Sequence, residues 1–177
     1  MSPRRIAGIL LLGMSVALAA CRKSPEVTAP GGGEERPTQV LRDLEMNDVK
    51  NGAKTMSLKS IEGRMYESQN MAYVDQPLII FYKLGKESSR LTAPAGRVQM
   101  DTHEVETWGG VTVVSSDSST LTTERLRYDP KTQKITSTDT VHLEKTDSIT
   151  DGMGLVTDSE LKKVKIGRQK VQFKKGM

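Results

Sequence analysis

The side chains that could do chemistry in this sequence are few: one cysteine and two histidines, with aspartates scattered near turns. Cys21 is the only cysteine, so it cannot form an internal disulfide. His103 and His142 have no carboxylate at a spacing typical of a metal or acid–base site. His142 stands between the apolar Val141 and Leu143, which predicts that it faces solvent. No Gly-x-Ser-x-Gly motif and no glycine-rich phosphate loop is present, so the sequence favours a binding or structural protein over an enzyme.

The N-terminal residues 1–20 have the pattern of an export signal. Arg4 and Arg5 precede an apolar run over residues 6–18, which is shorter than the ~20 residues that span a bilayer. The sequence Leu-Ala-Ala-Cys that ends at Cys21 resembles the bacterial lipobox, in which the cysteine is lipidated and becomes the new N-terminus. An ordinary cleaved signal with an incidental cysteine is the alternative. We expect lipidation, because acyl chains contribute about 0.8 kcal/mol per buried methylene and anchor a protein durably.

A tether follows over residues 21–37, where three prolines and three consecutive glycines oppose regular structure. The folded domain is then expected over residues 38–177. The chain has 26 basic and 22 acidic residues, and removal of the signal would take away only Arg4 and Arg5. This near balance excludes a strongly basic nucleic-acid surface. The lack of several long apolar runs excludes a polytopic membrane protein.

From Val40 onward apolar residues alternate with polar ones, the pattern of half-buried β-strands. Turn signals separate these runs at residues 83–86, 93–96, 108–110, 115–119, 128–131 and 151–154. Residues 57–73 have spacing that a helix could share, and we assign them as strand because their surroundings are β. Many short strands predict an all-β sandwich, barrel or jelly roll. A weak repeat of roughly 30 residues favours an elongated, open layout.

Alternate residues along these strands point to the same face of the sheet, and on one face they are aliphatic. We expect this face to line a common interior. Its residues are Leu78, Ile80, Val98, Met100, Val111, Val113, Leu121, Leu126, Ile135, Val141, Leu143, Ile149 and Leu155. By alternation alone they could fill an ordinary sandwich core. They could also line a groove for acyl chains, which needs aliphatic walls and gains ~0.8 kcal/mol per buried methylene. Only two Phe, four Tyr and one Trp occur, which is little material for a dense globular core.

Short motifs spread over residues 46–173 together resemble the periplasmic lipopolysaccharide-export family LptC. The motifs that carry the resemblance are Asp75-Gln76-Pro77, Trp108-Gly109-Gly110-Val111, Leu121-Thr122-Thr123, Thr136-Ser137-Thr138-Asp139 and Gly154-Leu155. The corresponding family pattern has an aromatic-Gly-Asn-Val strand start, a Leu-x-Thr hairpin, a Thr-Ser-x-Asp turn and a late Gly-Leu. Gly110 stands where the asparagine is common, a change that a turn position tolerates.

The resemblance implies an open, twisted antiparallel β-jelly roll of the type shared by LptC and LptA (OstA-like), with lipid A acyl chains in its interior. It implies no enzymatic activity and no cofactor. With such a fold, the scarcity of aromatics is interpreted as space kept free of bulky rings for the lipid. The protein would take lipopolysaccharide from an inner-membrane ABC transporter, meeting LptF/LptG-type subunits at its N-terminal edge. It would pass the ligand to an LptA-like protein at its C-terminal edge. The residues expected at that C-terminal edge are Val164, Ile166, Val171 and Phe173.

The N-terminus departs from the better-known members of the family, which keep one transmembrane helix where this chain has a lipobox. The resemblance favours the inner membrane of a diderm bacterium for the anchor. Arg22 does not mark inner-membrane retention, so the outer membrane stays open as an alternative. The second hypothesis for function is a structural envelope lipoprotein whose β-rich domain scaffolds other proteins and binds no lipid.

The C-terminal run from Lys162 to Lys175 has seven cationic residues and no acidic one. This composition fits contact with the phosphates of lipid A or with an acidic partner edge. It fits equally a charged edge strand that discourages uncontrolled pairing.

Overall fold

The computed structural model describes residues 36–174, and these form an antiparallel β-structure with a single turn of 3₁₀-helix, Glu67–Gln69. The strands are β1 (Gln39–Lys50), β2 (Ala53–Tyr66), β3 (Met71–Asp75), β4 (Leu78–Lys83), β5 (Lys86–Thr92), β6 (Ala95–Gln99), β7 (Val105–Ser115), β8 (Thr120–Asp129), β9 (Lys134–Glu144), β10 (Ser148–Asp158) and β11 (Lys165–Phe173). The all-β prediction is confirmed, including strand on both sides of the 3₁₀ turn within residues 57–73. Within the described range, no helix has the length and apolar character needed to cross a membrane.

The strands form one continuous up-and-down sheet. β3 and β4 lie end to end along β2 in a single register, with Met71 opposite Tyr66 and Phe81 opposite Met56. β5 and β6 continue one another in the same way between the β3–β4 line and β7. β8, β9, β10 and β11 then follow in chain order. Among the described residues, β1 and β11 are therefore the two edges of the sheet.

The strands are bent along one line across the sheet, which we call the crease. It passes through Asp43, Gln76–Pro77, Ala93–Pro94, Gly109–Gly110 and Gly154. The pairing register shifts there between β7 and β8 and between β9 and β10. The backbone φ is positive at several crease positions, among them Gln76 (50°), Gly110 (93°) and Gly154 (80°). Bulges and left-handed residues bend a strand, so their alignment bends the whole sheet.

The crease divides the sheet into two leaves. Leaf A ends in the turns β1–β2, β4–β5, β7–β8 and β9–β10, and leaf B ends in the turns β2–β3, β6–β7, β8–β9 and β10–β11. Phe81 of leaf A and Tyr128 of leaf B meet edge to face, with ring centroids 4.8 Å apart. In a flat sheet these two residues would be separated both by the strands that lie between β4 and β8 and by several residues along the strand direction. Their distance would then be more than about 20 Å. The leaves are therefore folded face to face around one apolar interior, which is the predicted jelly roll.

Three predicted turns are wrong, because residues 93–96, 108–110 and 151–154 lie at the crease. Gly109 and Gly110 are inside β7, and Gly152 and Gly154 are inside β10. A glycine with positive φ serves a reversal of the chain or a bend within a strand equally well, and only the pairing of neighbouring strands decides between them. The weak repeat has a simple origin: β7, β8, β9 and β10 begin at residues 105, 120, 134 and 148, so each pair of strands repeats the pattern.

Candidate functional site

The interior between the leaves is lined by aliphatic side chains, and most of the residues predicted to face inward are buried there. The buried ones are Val98, Val111, Val113, Leu121, Leu126, Ile135, Val141, Leu143 and Leu155, all with at most 3% of their surface exposed. Met100 is partly buried and packs against this cluster. The side chains of the two leaves are in contact, so the interior is packed shut in this structure.

The inward face of β4 is the opposite of the predicted one. Ile79 and Phe81 are 0% exposed, whereas Leu78 and Ile80 are half-buried and point away from the interior. The run from Leu78 to Tyr82 is apolar at both parities, so alternation could not choose between them. The choice is made by pairing, because Phe81 lies opposite Met56 and Ile79 opposite Leu58, both of which are fully buried.

Ile149 was also expected to face inward and does not. It lies opposite Glu144, an exposed residue, so its side chain is on the outer face of leaf A. Leu155, at the same parity, is buried. The register shift between Met153 and Leu155 reverses the parity of the strand, and this bulge is the physical reason for the error.

The polar groups of the interior are hydroxyls alone. No Asp, Glu, Lys, Arg or His is buried within residues 36–174, whereas several Ser and Thr are. The hydroxyls of Ser88, Ser89 and Thr107 have no hydrogen-bond partner there. Near the crease, Thr123 donates to the carbonyl oxygen of Thr140 over 2.9 Å. An interior in which none of the described residues carries a buried charge suits an apolar ligand.

Aromatic rings are part of this interior, contrary to the interpretation that it is kept free of them. Phe81 and Tyr128 are among the largest fully buried side chains. Burial raises the pKa of the Tyr128 phenol to about 12, with smaller contributions from Asp48 and Asp129. The scarcity of aromatics therefore does not mean that the interior is empty, because the rings of Phe81 and Tyr128 are buried there in contact with each other.

Opposite the crease, the tips of the leaves touch near the N-terminal edge. Asp48 Oδ1 at the end of β1 is 3.4 Å from Nδ1 of His103 in the β6–β7 turn. Lys50 Nζ donates to the carbonyl oxygen of Lys131 in the β8–β9 turn over 3.3 Å. We call these two contacts the latch. The first contact is partly buried and the second is exposed. Such polar contacts each contribute little to stability, so the latch itself costs little to break.

Leu161 closes the rim of leaf B near the C-terminal edge. It lies in the β10–β11 loop, has a φ of 54° and is 1% exposed within the core cluster. The carboxylate of Asp158 accepts hydrogen bonds from the amides of Lys162 (2.9 Å) and Lys163 (3.3 Å), which hold the loop. A leucine in the left-handed region is strained, and here its apolar burial outweighs that strain.

The four residues predicted for the C-terminal edge fall into two pairs. Val164 and Ile166 are partly buried against the core, whereas Val171 is exposed and Phe173 is 81% exposed. The outer side of β11 has no strand partner among the described residues. Phe173 and Val171 are therefore the apolar side chains that this edge offers to a partner.

The cations along this edge are mostly without carboxylate partners. Lys162 pairs with Glu160 at 3.0 Å, and Lys174 pairs with Glu144 at 2.8 Å and lowers the pKa of that carboxyl. The basic residues with no ion pair in the described range are Lys163, Lys165, Arg168 and Lys170. An open groove of about 630 Å³ lies beside them where the crease meets β10 and β11, lined in part by Met153, Val156 and Ile166.

The N-terminal edge, β1, is also unpaired on its outer side in the described part of the chain. Val40, Leu41 and Val49 expose apolar surface along it. Both ends of the sheet are thus open to strand addition by another protein.

Both histidines have a carboxylate neighbour, which the sequence did not indicate. His103 faces Asp48, and His142 Nδ1 is 2.6 Å from Asp151 Oδ1 on the adjacent strand. His142 is exposed, as predicted. Residues 36–174 contain no group of three or more His, Cys, Asp or Glu side chains arranged to hold a metal ion.

Sequence reasoning missed several residues that form this interior and its rim: Ile79, Phe81, Asp48 and Leu161. Alternation does place Tyr128 on the same face as Leu126, although Tyr128 is not among the residues expected to line the interior. The contacts of Asp48 and Leu161 join residues far apart in sequence and leave no local pattern.

We compared the chain with curated protein sequences, solved structures and protein families. No curated protein sequence matches the chain. Among solved structures, the fold is similar to LptH from Pseudomonas aeruginosa, described as the LptA homologous periplasmic component of the lipopolysaccharide transport device. The TM-score is 0.54 at 11% identity, over 69% of this chain and 95% of that one, and this likeness shows a shared fold. The sequence itself matches the family described as lipopolysaccharide-assembly, LptC-related, over residues 7–171. The chain therefore belongs to the LptC family, and its role lies in lipopolysaccharide transport.

Proposed function

We propose that the protein is a non-enzymatic transfer component that takes lipopolysaccharide from an inner-membrane ABC transporter and passes it to an LptA-like protein in the periplasm. One observation carries the proposal: the folded sheet encloses an interior of aliphatic side chains, and no charged residue between 36 and 174 is buried in it. Acyl chains gain about 0.8 kcal/mol per methylene in such surroundings. These contacts have no directional requirement, so a ligand held by them can also slide onward.

Loading requires the leaves to part, because their side chains are in contact across the interior. The crease joins the leaves along one side; on the other side the latch and the Leu161 loop must open, and the apolar contacts between the leaves, Phe81–Tyr128 among them, must be exchanged for contacts with the ligand. The lipid then replaces contacts between Leu143, Val113 and the facing leaf with contacts to its own chains. The packing density is restored by the ligand, so the open state is stable only while it is loaded.

The partners are proposed for the two edges. Transporter subunits of the LptF/LptG type would add to β1, next to the exposed Val40 and Leu41. An LptA-like jelly roll would add to β11, where Val171 and Phe173 are exposed. Strand addition supplies main-chain hydrogen bonds, and the exposed apolar residues supply specificity.

The anchor and domain limits are also part of this proposal. The signal over residues 1–20, lipidated Cys21 and most of the tether to residue 37 lie outside the described residues. We propose that Cys21 carries the lipid and that the protein is periplasmic, on the inner membrane. The folded domain begins near Thr38, whose amide donates to the carbonyl oxygen of Met65 over 2.8 Å.

A structural envelope lipoprotein with no lipid ligand is the second candidate. It is favoured by the tight packing of the interior, in which Val113, Leu121 and Val141 are completely inaccessible to solvent. A scaffold needs such a core and needs no opening.

A transfer assay separates the candidates. The full chain is offered radiolabelled lipopolysaccharide and then a soluble LptA-like partner from the same cell. We expect the chain to take up the ligand and to pass it on. Phe173→Asp should keep uptake and reduce transfer about tenfold, since a buried charge opposes docking. Val114→Asp, on the outer face of β7, should leave both uptake and transfer unchanged. If the folded chain takes up no lipopolysaccharide, the transfer proposal is wrong and the structural envelope lipoprotein is the better account. If Phe173→Asp transfers normally, the C-terminal edge is not the exit.

A further inference from the structure

The turn between β4 and β5 presents a leucine to solvent at the tip of leaf A. Leu84 is 95% exposed, the highest value among the large apolar residues of the described chain that are exposed. Its φ is 50° and that of Gly85 is 75°, which are the left-handed conformations of a tight two-residue hairpin turn. A leucine is poorly suited to this position on two counts: its Cβ is strained there, and its side chain is left in water.

The turn between β1 and β2 provides an internal comparison on the same leaf. Asn51 and Gly52 have φ values of 52° and 75°, the same geometry within two degrees. Asn-Gly is the pair that this turn prefers, because asparagine tolerates the left-handed region and its amide is well solvated. The fold therefore builds the same turn with favourable residues elsewhere, and Leu84 is not needed to form it.

The charges around Leu84 are also unfavourable for an isolated hairpin. Lys83 and Lys86 are directly opposite one another across the two strands, a pairing in which like charges repel. Lys54 extends alongside, with Nζ 5.4 Å from the ring centroid of Tyr82. None of the three lysines has a carboxylate partner within residues 36–174. Two local choices that weaken the hairpin, the exposed left-handed leucine and the Lys83–Lys86 pair, coincide at one exposed tip, which points to a role in binding.

We propose that this tip docks on the anionic surface of a phospholipid membrane. Leu84 would enter the boundary between head groups and acyl chains, while Lys54, Lys83 and Lys86 would meet lipid phosphates. A membrane fits better than a protein partner, because the apolar surface is one side chain ringed by cations. A stable protein interface needs a larger complementary area, of about 1,000 Å² or more. The positive charge selects anionic lipid over neutral lipid.

The length of chain before the domain allows this contact on the membrane that would hold the Cys21 anchor of the proposed function. Thr38 enters at leaf B, next to Met65, whereas Leu84 is at the tip of leaf A. β2 runs from one tip to the other and is 14 residues long, so the two tips are at most about 46 Å apart along it. A fully extended segment of residues 22–37 can span about 50 Å, which exceeds that distance. An anchor at Cys21 and a docked Leu84 are therefore compatible.

Lipid photo-crosslinking of the full chain tests this docking. The chain is reconstituted in vesicles of phosphatidylglycerol and phosphatidylcholine, or of phosphatidylcholine alone, that carry a diazirine-labelled phospholipid, and adducts are mapped by mass spectrometry. We expect adducts at residues 83–86 in the anionic vesicles. Leu84→Asn should lower their yield about tenfold, and Lys83→Gln and Lys86→Gln about fivefold each. Ile61→Asn removes another exposed apolar residue and should leave the tip adducts unchanged.

The fold is checked by thermal unfolding, where Leu84→Asn should unfold no earlier than the unaltered chain because Asn-Gly suits the turn. The proposal is overturned if the tip gives no lipid adducts, if neutral vesicles give the same yield, or if Leu84→Asn has no effect. Crosslinking of the tip to an envelope protein in cells, without lipid adducts, would also overturn it. Uptake and transfer of lipopolysaccharide are measured separately, so these outcomes leave the transfer proposal untouched.

Discussion

The ring of Phe81 on β4 meets the ring of Tyr128 on β8 edge to face, and this contact joins the two leaves of one folded sheet. The strands between them, β5 and β7, carry no ring into the interior. The pair is thus the aromatic centre of an otherwise aliphatic space. The contact shows that the apolar face of one leaf is covered by the apolar face of the other. The sheet therefore buries its apolar face against itself and needs no layer of helices to cover it.

The Phe81–Tyr128 contact should stabilise the fold beyond what the burial of the two separate rings contributes. We expect Phe81→Ala to lower the free energy of unfolding by about 3–5 kcal/mol. Tyr128→Phe should cost far less, because it keeps the ring. A double-mutant cycle with Phe81→Leu and Tyr128→Leu, followed by urea unfolding, should give a coupling of about 0.5–1.5 kcal/mol. Additive losses would show that the leaves do not meet at these rings.

Two glycines at and beside the crease should respond differently to substitution. A Cβ on Gly96 would lie 2.9 Å from the carbonyl oxygen of Glu106, so Gly96→Ala should destabilise by about 2 kcal/mol or more. Gly110 has open space around it and a φ of 93°, so Gly110→Asn should cost only about 1 kcal/mol of backbone strain. Chemical denaturation of both variants measures the difference, and equal losses would contradict the close packing of β6 on β7.

Breaking the latch should loosen the rim without unfolding the protein. Asp48→Ala removes the partner of His103 and the acceptor of the Thr55 hydroxyl, which is 2.7 Å from Asp48 Oδ2. We expect a loss of about 1 kcal/mol and faster hydrogen exchange in the turns near His103 and Lys131. Glu45 lies on β1 like Asp48, and Glu45→Gln, which removes an exposed ion pair with Lys59 of β2, is the control. Unchanged exchange in those turns would mean that the latch does not hold the leaves.

The side chain of Leu161 should stabilise the fold by its burial, while its left-handed backbone should destabilise it. Two substitutions can separate these two contributions to the free energy of unfolding. Leu161→Ala loses the apolar burial, at about 2–3 kcal/mol. Leu161→Gly loses the same burial but relieves the left-handed strain, so it should be the more stable of the two by about 1 kcal/mol. Guanidinium unfolding of the pair checks the order. The reverse order would show that the loop is not strained at Leu161.

Asp117 gives a prediction for acid stability. Hydrogen bonds from the Ser115 hydroxyl, first, and from Ser119 lower the pKa of this carboxyl to about 2. The native state therefore favours the ionised form, and the stabilisation is present above about pH 4 and is lost as the pH falls towards 2. The carboxyl is exposed, so solvent screening limits the effect to about 1 kcal/mol. Asp117→Asn should flatten this part of the pH profile of unfolding, and Glu124→Gln on β8 should not.

The sequence predicts the strand-rich fold well where one face is plainly polar, as in β8 and β9. It fails at β4, because Leu78, Ile79, Ile80 and Phe81 are apolar at both parities and only pairing with β2 selects the inward face. It fails again at Ile149, where a bulge reverses the parity of β10.

The crease is the feature that local sequence could not reveal. Gly109–Gly110 and Gly152–Gly154 carry the same signal as a hairpin turn, yet each bends a strand that continues. The bends act together only because their positions align across the sheet, and that alignment depends on registers set by distant residues. The latch and the Leu161 loop depend in turn on the folded leaves.

The central claim is that lipopolysaccharide acyl chains lie between the leaves, and site-specific photo-crosslinking in cells tests it most directly. A crosslinking residue is placed at Val113 or Leu143, which face the interior, and at their neighbours Val114 and Glu144, which face outward. Resistance to trypsin confirms that each variant is folded. The account predicts lipopolysaccharide adducts at Val113 and Leu143 and none at Val114 and Glu144. Equal labelling of both faces, or no adduct at either inward position in folded protein, would contradict it.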